Sequence, residues 1–217
     1  MITRLFKLVV NPDRQEAYNE VGANNLTSSH KKEAGTLAMY STHVPEDPTC
    51  CYVFEVYADD DAYNTHVASG HFQAFARMAG EVLTDRAVYQ LQPQLLVEKE
   101  GPLLVNGPND IEPHLVYVDV RPGAEEAFLA AITANMRTAV EVEPGVLVMY
   151  AATMADQPTR WVFWEVYASA EAYAAHRETQ HFKQYLAATE DIVVGKEFHV
   201  LTADTLVSKG SLGWSPR

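Results

Sequence analysis

Apolar and polar positions along this chain change period in a fixed order, and the order occurs twice. Leu5 to Val10 (LFKLVV) is a short apolar run stopped by Asn11-Pro12, and Leu115 to Val120 is stopped the same way by Arg121-Pro122-Gly123. Each predicts a strand and a turn. Helical stretches are expected over roughly 13–32 and 123–142; in the second, Phe128, Ile132, Met136 and Val140 recur every four residues. Asp13 is placed to cap the first of them. Gly35 and Gly145 close the helices and open a second strand, TLAMYSTHV or VLVMYAATM. A four-residue turn, Pro45 to Pro48 or Ala155 to Pro158, leads to a third strand, Cys50 to Ala58 or Arg160 to Ala168, making a hairpin. A second helical region begins in the acidic Asp59-Asp60-Asp61, breaks near Ser69-Gly70 and restarts at His71. A last strand is expected over Ala87 to Val97 and Glu197 to Val207. The order β-α-β-β-α-β predicts an α+β protein made of two ferredoxin-like units.

The two halves also share letters. Residues 33–75 align with 143–185 at an offset of 110 without a gap, and sixteen of the 43 positions are identical. Identities gather at Gly35/Gly145, at Met39-Tyr40/Met149-Tyr150 and at Pro48-Thr49/Pro158-Thr159. They continue in Glu-Val-Tyr-Ala (55–58, 165–168) and in Ala-Tyr-x-x-His-x-x-x-x-His-Phe (62–72, 172–182). A match this dense indicates an internal repeat. The expected domains are 1–100 and 113–208, joined by a Gly/Pro/Asn-rich linker at 101–112 and followed by a loose tail at 209–217.

Charge and cysteine content narrow the function. A net charge of −13 opposes binding to phosphate backbones and anionic lipid, so neither nucleic acid nor a membrane is expected as partner. The two cysteines, Cys50 and Cys51, are adjacent, and the second copy has Arg160 and Trp161 in their place. Reduced thiols outside any shared chemistry are expected. The N-terminus enters a strand pattern directly and no apolar run reaches spanning length, so a cytoplasmic location is expected.

The repeat concentrates the residues that could do chemistry. Alternation on the third strand sets Val53, Glu55 and Tyr57 on one face, as it sets Phe163, Glu165 and Tyr167. A carboxylate mid-strand among apolar and phenolic neighbours is either a structural acceptor or a tuned acid or base. His66 and His176 follow on the second helix, with Tyr63 three residues before His66, and His71 and His181 come five residues later, each before a Phe. An i, i+5 pair on a broken helix does not match the i, i+4 spacing of a zinc helix, so no metal is expected. A structural reading has each imidazole pinning helix to strand. Phosphate loop, dinucleotide fingerprint, nucleophile elbow and zinc-type cysteine cluster are all missing from the sequence.

Taken together, Glu-x-Gly-x-x-x-Met-Tyr, the Pro-Thr pair, (Phe/Trp)-Glu-Val-Tyr and Ala-Tyr-x-x-His-x-x-x-x-His-Phe resemble the antibiotic biosynthesis monooxygenase domain, over Leu5–Val97 and Leu115–Val207. The resemblance implies a dimeric α+β barrel with a pocket between sheet and helices in each unit. With both units on one chain, it implies an intrachain pseudo-dimer, any further homodimer being built on outer surfaces. Family activities include cofactor-free oxidation of quinols or aromatic polyketides by molecular oxygen, isomerisation of a phosphorylated signalling sugar, and haem degradation. The haem-degrading branch uses a Trp where this chain has His66 and His176, and a later His where it has Ala76 and Leu186, so haem is not expected. No basic residue is common to both motifs, which disfavours the phosphosugar branch. The expected function is therefore cofactor-independent monooxygenation of a small phenolic, quinol or polyketide-like aromatic molecule. Glu55/Glu165 and His66/His176 are the expected base and its orienter. Met39, Tyr57, His71, Phe72 and their counterparts Met149, Tyr167, His181 and Phe182 are the expected pocket wall. A non-catalytic module that binds or senses a hydrophobic ligand, and the sugar isomerase, are the alternatives.

Overall fold

In the computed structural model, which describes residues 1–216, the chain is α+β and consists of two ferredoxin-like βαββαβ units. The first contains strands β1 (Ile2–Val10), β2 (Thr36–Val44) and β3 (Asp47–Tyr57), helices α1 (Gln15–Lys32), α2 (Asp60–Ala68) and α3 (Gly70–Val82), and the first part of β4 (Leu83–Glu98). It also takes in β5 (Leu103–Asn106) and, from the far end of the sequence, β10 (Thr202–Ser208). Its sheet runs β5-β10-β2-β3-β1-β4. The second contains β6 (Glu112–Val120), α4 (Glu125–Val142), β7 (Val146–Met154), β8 (Gln157–Tyr167), α5 (Ala170–Glu178), α6 (Gln180–Thr189) and β9 (Val193–Val200). Its sheet runs β4-β7-β8-β6-β9, with β11 (Gly213–Trp214) on β4. No helix among the described residues is long and apolar enough to cross a membrane.

Compactness therefore groups the chain differently from the expected boundaries at 100 and 113. Residues 1–91, 101–109 and 201–210 form one unit, and 92–100, 110–200 and 211–216 the other. The cause is the length of the last strand of each repeat. β4 is 16 residues long, and its pairing with the nine-residue β1 ends at Leu91, opposite Thr3. Residues beyond Leu91 need new partners and find β7. Pro93, which cannot donate to a ladder, sits just past this change of partner. In the second repeat the corresponding strand breaks at Leu201 into β9, paired with β6, and β10, paired with β2. Linker and tail both contain strand: β5 in the linker pairs with β10, and β11 in the tail, expected to be loose, pairs with β4.

Local signals were mostly sound, with instructive exceptions. Asn11, not Asp13, caps a 3-10 turn at Pro12–Arg14 that leads into α1, accepting a bond from the Asp13 N–H. The hairpin turn holds two residues, and β3 starts at Asp47, before Cys50. Gly35 does not end α1 in a left-handed conformation. Its role is close approach: a Cβ on Gly35 would lie 2.4 Å from the Ala62 Cβ, and one on Gly145 2.4 Å from that of Ala172. The repeated Gly and the repeated Ala of the Ala-Tyr motif are thus the two sides of one contact, which seats α2 on the start of β2 and α5 on the start of β7.

Candidate active site

The period of β3 places Val53, Glu55 and Tyr57 on the face covered by the helices of the first unit, and all three line a cavity of about 770 Å³. β1 sets Arg4 opposite Glu55 and Phe6 opposite Val53. α1 contributes Tyr18, Gly22, Asn25 and Leu26, and α2 contributes Tyr63. α3 adds Phe72, Phe75 and Ala79, and the start of β4 adds Leu83, Arg86 and Val88. The wall is mostly aromatic and aliphatic, with the ionisable groups Arg4, Glu55, Asp85 and Arg86 in it. Pockets of this size hold drug-sized organic molecules.

Glu55 is 8% exposed. Its carboxylate accepts one hydrogen bond, from the Tyr57 hydroxyl at 2.8 Å. Burial pushes its pKa up to about 7, against the Tyr57 hydrogen bond and the positive charge of Arg4, which pull it down. The Tyr57 phenol is driven well above its ordinary value by burial and then by the neighbouring Glu55, so it remains a donor. Arg4 donates to the Tyr63 hydroxyl and packs its guanidinium 4.9 Å from the Tyr63 ring centre.

The expected pairing of Glu55 with His66 does not form. His66 is not among the residues that line the cavity, and it donates from Nδ1 to Glu33 at 3.0 Å. Glu33, at the C-terminal end of α1, also accepts from His71 Nε2 at 2.7 Å and from the Thr36 hydroxyl at 2.6 Å. His66 closes α2 and His71 opens α3, on either side of the break capped by Ser69. One carboxylate therefore clasps three helix ends. Burial alone would raise the Glu33 pKa, but the Thr36 bond, the charge of His66 and the bonds from both imidazoles bring it below the usual range. Burial lowers the pKa of His66 despite the pull of Glu33, so the folded protein favours its neutral form. The second unit repeats the clasp, with Glu143 accepting from His176 Nδ1 at 2.8 Å and His181 Nε2 at 2.6 Å.

The donor atoms of each clasp lie within 4.8 Å of one another, and one carboxylate with two imidazoles is a set that zinc or iron accepts. Here the set is closed on itself by hydrogen bonds. The second nitrogen of His66 is buried and meets no acceptor, whereas a ligating imidazole is usually oriented by a partner on that nitrogen. In this structure each set joins helix ends through one carboxylate.

Of the other expected wall residues, Tyr57 and Phe72 line the large cavity. Met39 does not; it is fully buried in a core cluster with Leu26, Tyr57 and Val207. His71 belongs to the clasp. In the second unit Glu165 and Phe182 border a space of only about 30 Å³, Glu165 accepting from the Tyr167 hydroxyl at 2.9 Å. Met149 and Tyr167 lie in the core, and His176 and His181 are held by Glu143. Sequence reasoning passed over Glu33 and Glu143 as clasp centres and Arg4 as the cation facing Glu55. The signal for the first was present, since Glu33/Glu143 is the first identity of the repeat; the first strands, which carry Arg4 and His114, lie outside the aligned stretch.

The first unit is thus a ferredoxin-like fold with a buried carboxylate in the wall of a cavity between sheet and helices. The chain belongs to the antibiotic biosynthesis monooxygenase family, whose sequence profile matches residues 1–78 and 114–188. It is similar to a "putative monooxygenase" from Lactobacillus acidophilus NCFM, at 28% identity over 99% of both chains with a TM-score of 0.93. A "putative monooxygenase" from Fusobacterium nucleatum subsp. nucleatum ATCC 25586 shares the fold at 22% identity, over 100% of this chain and 98% of that one, with a TM-score of 0.89. An anthrone oxidase-like protein shares it more distantly, at 13% identity over 97% and 94% of the two chains, with a TM-score of 0.57. No match was found among curated proteins.

Proposed function

We propose that the protein is a cofactor-independent monooxygenase of a phenolic, quinol or polyketide-like aromatic substrate, and that the reaction takes place in the first unit with Glu55 as base. The observation that carries this reading is the carboxyl of Glu55, held near pKa 7 in the wall of an apolar cavity large enough for a multi-ring molecule. A base with that pKa takes a proton from a phenol near neutral pH. The resulting electron-rich anion gives an electron to molecular oxygen, and the substrate radical and superoxide recombine into a carbon-bound peroxide. Loss of water from the peroxide leaves a quinone carbonyl. One oxygen atom ends in the product and the other in water, and the substrate supplies all the electrons. Arg4, facing Glu55 across the strands, stabilises negative charge on the reacting oxygen. The sugar isomerase is less well supported: Arg4 and Arg86 could meet a phosphate, but Glu55 and Asp85 share their wall and repel a dianion.

Oxygen uptake measured with a panel of quinols and anthrones, without added cofactor, tests the reading. Turnover should rise with pH to a plateau with a midpoint near 7, because the base acts when ionised, and Glu55→Gln should lower kcat by at least ~10²-fold. Binding of the same compounds without any oxygen consumption would instead establish the non-catalytic binding module.

A further inference from the structure

We infer that each chain holds one polycyclic hydroxyaromatic molecule, in the first unit, and that the second unit is closed to ligand by its own side chains. The framework of the site is duplicated but the room is not: the space is about 770 Å³ in one unit and about 30 Å³ in the other. The smaller space takes one or two waters. The Glu–Tyr pair is present in both units, buried in the first and part-buried in the second, at 2.8 and 2.9 Å, and so is the helix clasp. What differs is side-chain volume at positions that border the space.

Three of these substitutions act directly. Gly22 is Ile132, Val53 is Phe163 and Val88 is Phe198, and all six residues line their respective spaces. A Cβ on Gly22 would meet nothing nearer than Phe75, at 3.8 Å, so a larger side chain there extends into the cavity. Phe163 is held in place from behind, stacking on Phe128 at 6.0 Å and 13°, while Phe128 rests edge-on against Trp161, at the position of Cys51. Phe198 stacks on Tyr173 at 5.8 Å, and His114, at the position of Arg4, packs edge-on against both rings. Phe6 and Arg4 are replaced by the smaller Val116 and His114, yet the net change leaves almost nothing open. The cation beside Glu55 has also gone from the second unit. His114 instead bonds Glu112 at 2.7 Å and stands 4.0 Å from Glu165.

The inference builds on the first-unit site proposed above but requires binding only. It is tested by titrating the full chain with alizarin, a dihydroxyanthraquinone whose absorbance changes on binding and deprotonation, and fitting the stoichiometry. One molecule per chain is expected. Gly22→Ile with Val53→Phe transplants the second unit's closure onto the first; this variant should lose alizarin binding by at least 100-fold while keeping its circular dichroism and melting temperature. Each single substitution, read alongside, should weaken binding in part. A wild-type stoichiometry of two or of zero overturns the inference, and so does a folded double variant that binds as tightly as the wild type. Stoichiometric binding with no oxygen uptake on any substrate would leave this inference standing and remove the monooxygenase reading alone.

Discussion

Burial of Glu55 has consequences for stability as well as chemistry. With its carboxyl moved from the ordinary 4.5 up to about 7, the folded state binds more protons than the unfolded state between those values. The penalty of holding this group is therefore absent below about 4.5, grows as pH rises and is complete above 7. Glu55→Gln keeps a hydrogen-bonding side chain of the same size and removes the titration. We expect the variant to melt higher than the wild type at pH 8, by an amount on the order of 1–3 kcal/mol, and level with it at pH 4.5. Thermal unfolding at the two values decides this; an equal difference at both would mean that Glu55 is not held near neutrality. The result is separate from the expected loss of turnover, so one substitution would gain stability while losing function, as groups strained for catalysis do.

Helix ends in this fold are joined by hydrogen bonds to a single carboxylate. Glu33→Ala would remove the carboxylate that His66 and His71 share at the junction of α1, α2 and α3, leaving His66 Nδ1 with the Ser29 hydroxyl at 3.2 Å. The expected cost is about 2–4 kcal/mol, read as a fall in melting temperature, with alizarin affinity in the surviving folded protein changed far less. A variant that melts like the wild type but no longer binds would place the clasp in the site instead. Thr36→Val should cost much less, since Val146 occupies that position beside Glu143 and that clasp still forms. The pH dependence of the clasp opposes that of Glu55. Glu33 is depressed, so its contribution is present above about 4.5 and is lost as pH falls through its lowered value; His66 is also depressed, so protons taken up by the unfolded chain below about 6.5 work against the fold.

At the level of the whole chain, repeat and compact unit are offset by one half-strand. β10 is encoded in the second repeat yet lies in the first unit, between β2 and β5. Leu206 on β10 is fully buried. Leu206→Ala should cost about 2–5 kcal/mol, and hydrogen exchange should locate the loss in β2, β3 and β5 ahead of β6 and β9. Faster exchange confined to the second unit would show the strand assigned to the wrong sheet. A fragment ending at residue 100 would likewise leave the outer edge of β2 unpaired, an edge that invites association.

The order of elements, the duplication and the facing of Glu55 with Val53 and Tyr57 were all legible in the sequence. Each depends on local periodicity or on letters repeated at a fixed offset, and neither needs knowledge of what lies across the fold. The partner of His66 was not legible in that way. Glu33 lies 33 residues away, and choosing it over Glu55 depends on where α1 ends relative to the break between α2 and α3. Cavity size was equally hidden. Cys51/Trp161 could be noted as a difference, but Gly22/Ile132 lie on α1 and α4 and Val88/Phe198 on β4 and β9, outside the aligned stretch, and they acquire meaning only where those elements border one space together with β3 or β8. Volume is a property of several packed elements at once, which is why the chain's own pattern determined two similar folds and only tertiary packing decided that one has room for a ligand.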